Sequence, residues 1–251
     1  MNNFRSYIVY RTSYLFLILF FLFTLTQPFS ADSQSVSGVP GYIRVPCATF
    51  HDDGSLTAGV SFLPKQHLPY SNYRSDALAV FASLTFLKFL EVDLRVTRQL
   101  DVPHGASHVV DRVPSVRFRL LQEKKYIPAV AAGFHDILTS FEDGSARHFG
   151  ASYLVVTKNF RIAEGLVTVG ATAGYGLNTL VWKNDEFRGV FGGMILGSDR
   201  IPWLNLLADH DGRTFSTGLR MTLFRRFVVT AATMNFDSFT GTLGYRFSLI
   251  R

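Results

Sequence analysis

Between Asp111 and Ile137 the chain reads DRVPSVRFRLLQEKKYIPAVAAGFHDI, and its first half alternates with a period of two. Val116, Phe118 and Leu120 fall on one face, and Ser115, Arg117 and Arg119 on the other. Alternation of this kind places side chains on opposite faces of a β-strand and is incompatible with a helix. A polar break at Gln122–Lys125 leads to a second run, in which Pro128, Val130, Ala132 and Phe134 share one face and Ile127, Ala129, Ala131 and Gly133 the other. Paired as a hairpin, the two runs set Ala129 and Ala131 on the face of Arg117 and Arg119, so guanidinium groups have room around them. A soluble sandwich would bury the apolar face against a second sheet. A transmembrane barrel turns it to lipid and keeps the arginines in a wet lumen.

The rest of the chain favours the barrel. Hydrophobic residues are 47% of the sequence and charged residues only 18%. Mean hydropathy is nevertheless just +0.17, too low for a helical membrane bundle. Runs that alternate like the first occur at Ser55–Leu63, Ala77–Leu87, Leu90–Thr97, Phe149–Thr157, Ile162–Tyr175, Gly189–Leu196, Trp203–Asp209, Thr214–Leu223, Phe227–Asn235 and Phe239–Leu249. This predicts an all-β, transmembrane antiparallel β-barrel of roughly 12 strands of about ten residues each. Every second connection is short: Lys88, Gln122–Lys125, Lys158–Phe160, Ser198–Pro202 and Phe224–Arg226. Aromatics gather at those short turns (Phe86, Phe89, Tyr126, Phe160, Trp203, Phe224, Phe227, Phe247), as a membrane-interface girdle would. A sandwich explains the alternation but not this ordering. The final strand ends Ser248-Leu249-Ile250-Arg251 rather than on an aromatic residue, with Phe247 slightly earlier.

Ahead of the barrel, Arg5 and Arg11 precede an apolar run from Tyr14 to Leu25, followed by Gln27, Pro28 and small residues. That is the layout of a secretory signal peptide. The run, roughly 12 residues, is short of the ~20 a spanning helix needs. Residues 1–31 are therefore expected to be a signal peptide, 32–54 a periplasmic lead-in that begins with a flexible stretch rich in Ser, Gly and Pro from Ala31 to Gly41, and 55–251 an outer-membrane barrel. The lone cysteine, Cys47, excludes an intramolecular disulfide framework. The net charge of +6 comes from scattered basic residues without a nucleic-acid motif, so no nucleic-acid partner is expected.

Several segments resemble the YjbH-like family of outer-membrane proteins linked to exopolysaccharide production. The lead-in GYIRVPCATFHDDGSLTAGVSF is similar to the family's N-terminal pattern of Gly, Pro, small residues and Asp-Gly-(Ser/Thr)-Leu. FLEVDLRVTR, VRFRLLQEKKYIPAVAAGFHDI and SYLVVTKNF resemble its consecutive strands in the same order. The similarity runs from Gly41 to about Gly176 and more loosely beyond. It implies an accessory role in making, exporting or organising a surface polysaccharide, and it supplies no catalytic residue.

Glu91, Asp93, Arg95, Arg117 and Arg119 fall on adjacent strands and one face. They could form a charged eyelet for an anionic polymer, but an unpaired lumen charge is costly. The favoured reading is a structural network whose members satisfy one another. His51-Asp52-Asp53 and Asp209-His210-Asp211 have metal-ligand residue types, yet both lie at turns, where Asp commonly bonds its own backbone. No metal or cofactor is expected. None of the seven histidines has a serine two residues downstream, the same-face arrangement that outer-membrane lipid hydrolases would resemble. The expectation is thus a non-enzyme whose partners are outer-membrane lipid and lipopolysaccharide, with polysaccharide and export-machinery proteins as further candidates. The alternatives are a lipid- or glycan-modifying enzyme and a structural barrel or narrow solute channel.

Overall fold

A computed structural model describes residues 34–70, 75–101, 110–137, 148–162, 166–177, 186–187 and 189–250. The expected signal peptide lies outside these residues. The strands are β1 (Ser55–Leu63), β2 (Ala77–Phe86), β3 (Leu90–Gln99), β4 (Val110–Leu121), β5 (Ala129–His135), β6 (Ala151–Ile162), β7 (Val167–Gly176), β8 (Val190–Gly197), β9 (Leu204–His210), β10 (Phe215–Leu223), β11 (Phe227–Met234) and β12 (Ser238–Ser248). Each pairs antiparallel with its neighbours, and β12 returns to β1 in the register Ser55↔Ser248 to Phe62↔Gly241, closing the barrel. Closure removes the unpaired edges that an open sheet would present. The only helical element among the described residues is a single 3-10 turn at Lys65–His67.

Period two produces the expected inversion of a soluble protein. On β3, Glu91, Asp93, Arg95, Thr97 and Gln99 are buried, while Val92 and Leu94 are exposed. The exposed apolar positions recur around the wall, among them Val80, Leu154, Leu206, Leu219 and Leu243. Phe86, Phe89, Phe160, Phe224, Phe227 and Phe247 stand exposed at the short-turn end. A second set of exposed rings, Tyr175, Phe215, Phe236 and Phe239, marks the opposite end.

One boundary differs from expectation. The β6–β7 turn was expected at Lys158–Phe160, but β6 continues to Ile162, with Lys158, Asn159 and Phe160 paired to Ala171, Gly170 and Val169. Polar residues survive inside this strand because Glu123, from the neighbouring turn, serves them. It accepts from the Asn159 backbone N–H at 2.9 Å and from Asn159 Nδ2 at 2.7 Å, and pairs with Lys158 Nζ at 3.0 Å. At the opposite end, the connections after β9 and β11 are as short as the others. Asp211 Oδ1 closes the first by accepting from the Arg213 and Thr214 backbone N–H groups.

The larger difference concerns the lead-in, which is not loose over its described part. Val39, Tyr42, Ile43, Val45, Cys47 and Ala48 are all buried inside the barrel. The segment rises from the start of β1 and turns over near Arg44, whose Nε reaches Asp211 Oδ2 at 2.6 Å. It then folds back so that the Gln34 side chain meets His51 Nε2 at 3.3 Å. Two glycines permit this. Gly38 has φ +91°, and a Cβ there would lie 2.5 Å from Phe81; a Cβ on Gly193 of the wall would lie 2.7 Å from the Tyr42 ring.

Several hairpins place non-glycine residues in the left-handed region, including Leu87 and Lys88, both at φ 58°. An L-residue there pays roughly 1–2 kcal/mol, only partly offset by the greater unfolded-state freedom of glycine. Lys88→Gly is therefore expected to stabilise the barrel by up to about 1 kcal/mol, read as a higher urea midpoint in detergent.

Candidate functional site: the plugged lumen

The barrel wall grips the inner segment through its main chain. Asp209, on β9, points inward, and its Oδ2 accepts from three successive backbone N–H groups: Ile43 (2.8 Å), Arg44 (2.7 Å) and Val45 (3.0 Å). Consecutive amides converging on one carboxylate form an anion-binding concavity, filled here by the protein's own side chain. Arg220, on β10, makes the complementary grip. Its Nη2 donates to the carbonyls of Gln34 (3.0 Å), Gly41 (3.2 Å) and Tyr42 (2.7 Å), while Nε donates to Thr230 Oγ1 at 3.1 Å. On the far wall Arg117 donates to the Cys47 carbonyl, and the Ala48 N–H donates to Thr157 Oγ1 at 2.8 Å.

Apolar contacts complete the seat. Tyr42, Ile43 and Val36 pack with Ile195, Leu207, Ala232 and Met234. Val45 and Ala48 pack with Ala129, Ala131, Ala151, Tyr153 and Phe191. Ala129 and Ala131 do share the inward face with Arg117, and their small size leaves space for the plug.

The five charged residues singled out from sequence divide into separate units. Arg117 Nη1 pairs with Glu91 Oε1 at 2.6 Å, both side chains fully buried, and Thr85 Oγ1 donates to the other Glu91 oxygen at 3.2 Å. Arg95 turns instead to Glu186, from the β7–β8 connection, at 2.9 Å, and stacks over the Phe149 ring at 4.3 Å. Asp93 is buried opposite Ser83, and no ion pair reaches it among the described residues. Arg119 is only half-buried and lies 4.7 Å from the centre of the Phe50 ring, without a carboxylate partner among the described residues. A single mutually satisfied network is therefore not what the wall contains. The reason is spatial: the inner segment intervenes, and takes for itself part of the polar capacity the strands offer.

Glu186 also receives His135 Nδ1 at 2.5 Å. Burial by itself would raise the Glu186 pKa, but the Arg95 and His135 charges and hydrogen bonds outweigh it and hold the carboxyl at about 2. Above this pair the mouth opens into a recess of about 380 Å³, bordered by Arg44, His67, His148, Arg213 and Asp237. His67 Nε2 lies 2.8 Å from Ser238 Oγ and 3.4 Å from Asp237 Oδ1. This Ser–His contact joins residues far apart in sequence, so no local motif could reveal it. The two turn clusters with metal-ligand chemistry are engaged otherwise: Asp209 and Asp211 hold the plug and a turn, and His51 meets Gln34.

The fold and its filled interior define a plugged antiparallel β-barrel, polar within and apolar without. Residues 33–193 match the family model described as exopolysaccharide biosynthesis protein YbjH. The match spans well over half of the 251-residue sequence, so the chain belongs to the YjbH exopolysaccharide biosynthesis family. It takes in the plug and β1 to the start of β8, while Asp209 and Arg220, which hold the plug, lie beyond it. No curated protein matches the chain.

Two outcomes follow from the charge geometry. Arg117→Ala strands a buried Glu91 and is expected to cost about 3–5 kcal/mol, whereas Arg119→Ala removes a partly exposed cation–π contact worth about 1 kcal/mol or less. Denaturant unfolding of the two purified variants separates them. The Glu186 carboxyl is depressed from an ordinary 4.5 to about 2, so its contribution is fully present above pH 4.5 and is lost as pH falls toward 2. The lost stability should reach at most about 3 kcal/mol, and Glu186→Gln should abolish that part of the acid dependence.

Proposed function

We propose that this protein is a non-enzymatic outer-membrane barrel serving as an accessory in the production, export or surface organisation of an exopolysaccharide. One observation carries the reading: a closed barrel with an apolar exterior, aromatic rings at both rims and a polar interior, in a chain of an exopolysaccharide biosynthesis family. Such an exterior is stable only where lipid covers it, and closed barrels satisfy every wall backbone group without water. Lipid and lipopolysaccharide are then the partners of the outer wall, and polysaccharide or export-machinery proteins those of the rims. The plug weighs against a permanently open solute channel.

A membrane-embedded hydrolase is the competing reading, and it draws on the His67–Ser238 contact. A working nucleophile–base pair needs a third group that orients the base through its other nitrogen. Here Asp237 and Ser238 both lie against Nε2, and among the described residues Nδ1 meets only Thr214 Oγ1, at 3.4 Å. The accessory reading therefore expects Ser238→Ala to leave polysaccharide output unchanged in cells, while deletion of the whole protein alters it. Loss of output with Ser238→Ala, in a folded protein, would favour the hydrolase.

Location has its own check. In a Cys47→Ser background, cysteine at Gln66 or Phe236 should react with an impermeant thiol reagent on whole cells, and cysteine at Lys88 or Arg226 should not. The mature protein should fractionate with the outer membrane and shift in mobility when unboiled. Recovery as a soluble periplasmic protein would refute the membrane assignment.

A further inference from the structure

The wall of the lumen has more polar capacity than the plug consumes. Its inward face is rich in hydroxyls, among them Thr57, Thr85, Thr97, Thr157, Thr172, Ser216, Thr230, Thr240 and Thr242. The Thr57, Thr97 and Ser216 hydroxyls, Asn205 Oδ1 and Asp209 Oδ1 are buried without a hydrogen-bond partner among the described residues. Buried polar groups that a protein leaves unmatched are costly, and a wall built only to hold the plug would not need them.

The groups that do hold the plug are equally telling. Asp209 takes three donors, and Arg220 gives to three acceptors, with every one of these contacts on backbone. They read no side-chain identity. They would serve any ligand that presents closely spaced donors and acceptors, and a sugar hydroxyl is both at once.

We propose that the wall bearing Asp209, Arg220, Arg117 and the threonine hydroxyls is a saccharide-binding path through the barrel, and that residues 34–48 occupy it in cis as a displaceable plug. The ligand class is a polyhydroxylated glycan strand. This rests on the exopolysaccharide reading above and deepens it. Displacement severs the main-chain grips, and the same arginines, carboxylate and hydroxyls then meet the glycan.

The test uses purified full-length mature protein in planar bilayers. Tyr42→Ala combined with Ile43→Ala loosens the apolar seat of the plug while keeping the chain whole and leaving Asp209, Arg220 and the wall hydroxyls in place, and a second variant lacks residues 34–48. Heat-modifiability on a gel establishes that each barrel is folded, so whichever variant folds is carried forward. Should neither fold, wild-type protein is opened instead by voltage or mild urea, and the same current is read. Cys47, buried in the seat, reports departure of the plug in the point variant and in wild type through its reaction with a maleimide.

The open state is expected to carry roughly tenfold or more the current of resting wild type, as a lumen cleared of its filling should. Maltohexaose should then cut that current by more than about half, and a polyethylene glycol of equal size, which has no donors along its chain, should do so far less. Equal block by the two polymers would mean a water-filled hole without saccharide recognition and would overturn the proposal. So would a folded barrel with reactive Cys47 whose current stays at the wild-type level. Either failure leaves the accessory role intact, because that role is read separately from polysaccharide output in cells.

Discussion

The interior of this barrel is governed by the need to satisfy a stretch of irregular backbone away from solvent. An N–H or C=O buried without a partner costs about as much as a lost hydrogen bond, and the plug brings many of them into the lumen at once. Asp209 and Arg220 answer this from adjacent strands, one as an acceptor for three amides and the other as a donor to three carbonyls. Other features follow from that pairing. Small residues line the wall where Tyr42 and Val45 press against it, and Arg44 is carried to the mouth, where Asp211 receives it.

The wall itself was legible in the sequence because alternation with a period of two is a local signal, and the apolar outer face and the polar lumen both enforce it. Strand β1 falls on the expected residues, and β3 carries its polar face inward as its alternation requires. The β6–β7 turn was misplaced for a physical reason. Lys158 and Asn159 look like turn residues until Glu123, distant in sequence, is known to pair with them. The plug was illegible for a related cause. The hydrogen bonds it receives from Asp209, Arg220, Arg117 and Thr157 run from wall side chains to its main chain, so Ser-, Gly- and Pro-rich composition reads as looseness whether or not a wall is there to bind it.

The charged face shows how far pattern alone reaches. Glu91 and Arg117 were placed on neighbouring strands with the right facing, and they meet. Arg95 found its partner in a connection, at Glu186, a long-range choice that no strand register predicts. Arg119, two residues from Arg117 and on the same face by alternation, sits nearer the rim at the bulge between Arg119 and Leu121 and settles over Phe50. Position along the barrel axis, which the alternation does not encode, decided which charges were buried in pairs.

The return of the plug upon itself bears on how the molecule is assembled. Because Gln34 comes back beside His51, the described part of the segment enters the lumen as a loop and does not run through it from end to end. A chain threaded through a ring would have to be in place before the ring closed. A loop has no such requirement. The β1–β12 seam, which joins the first strand to the last, can zip shut around an empty or hydrated interior, and the segment can seat afterwards. Closure of the wall and filling of the lumen are thus topologically separable, and the described fold imposes no order between them.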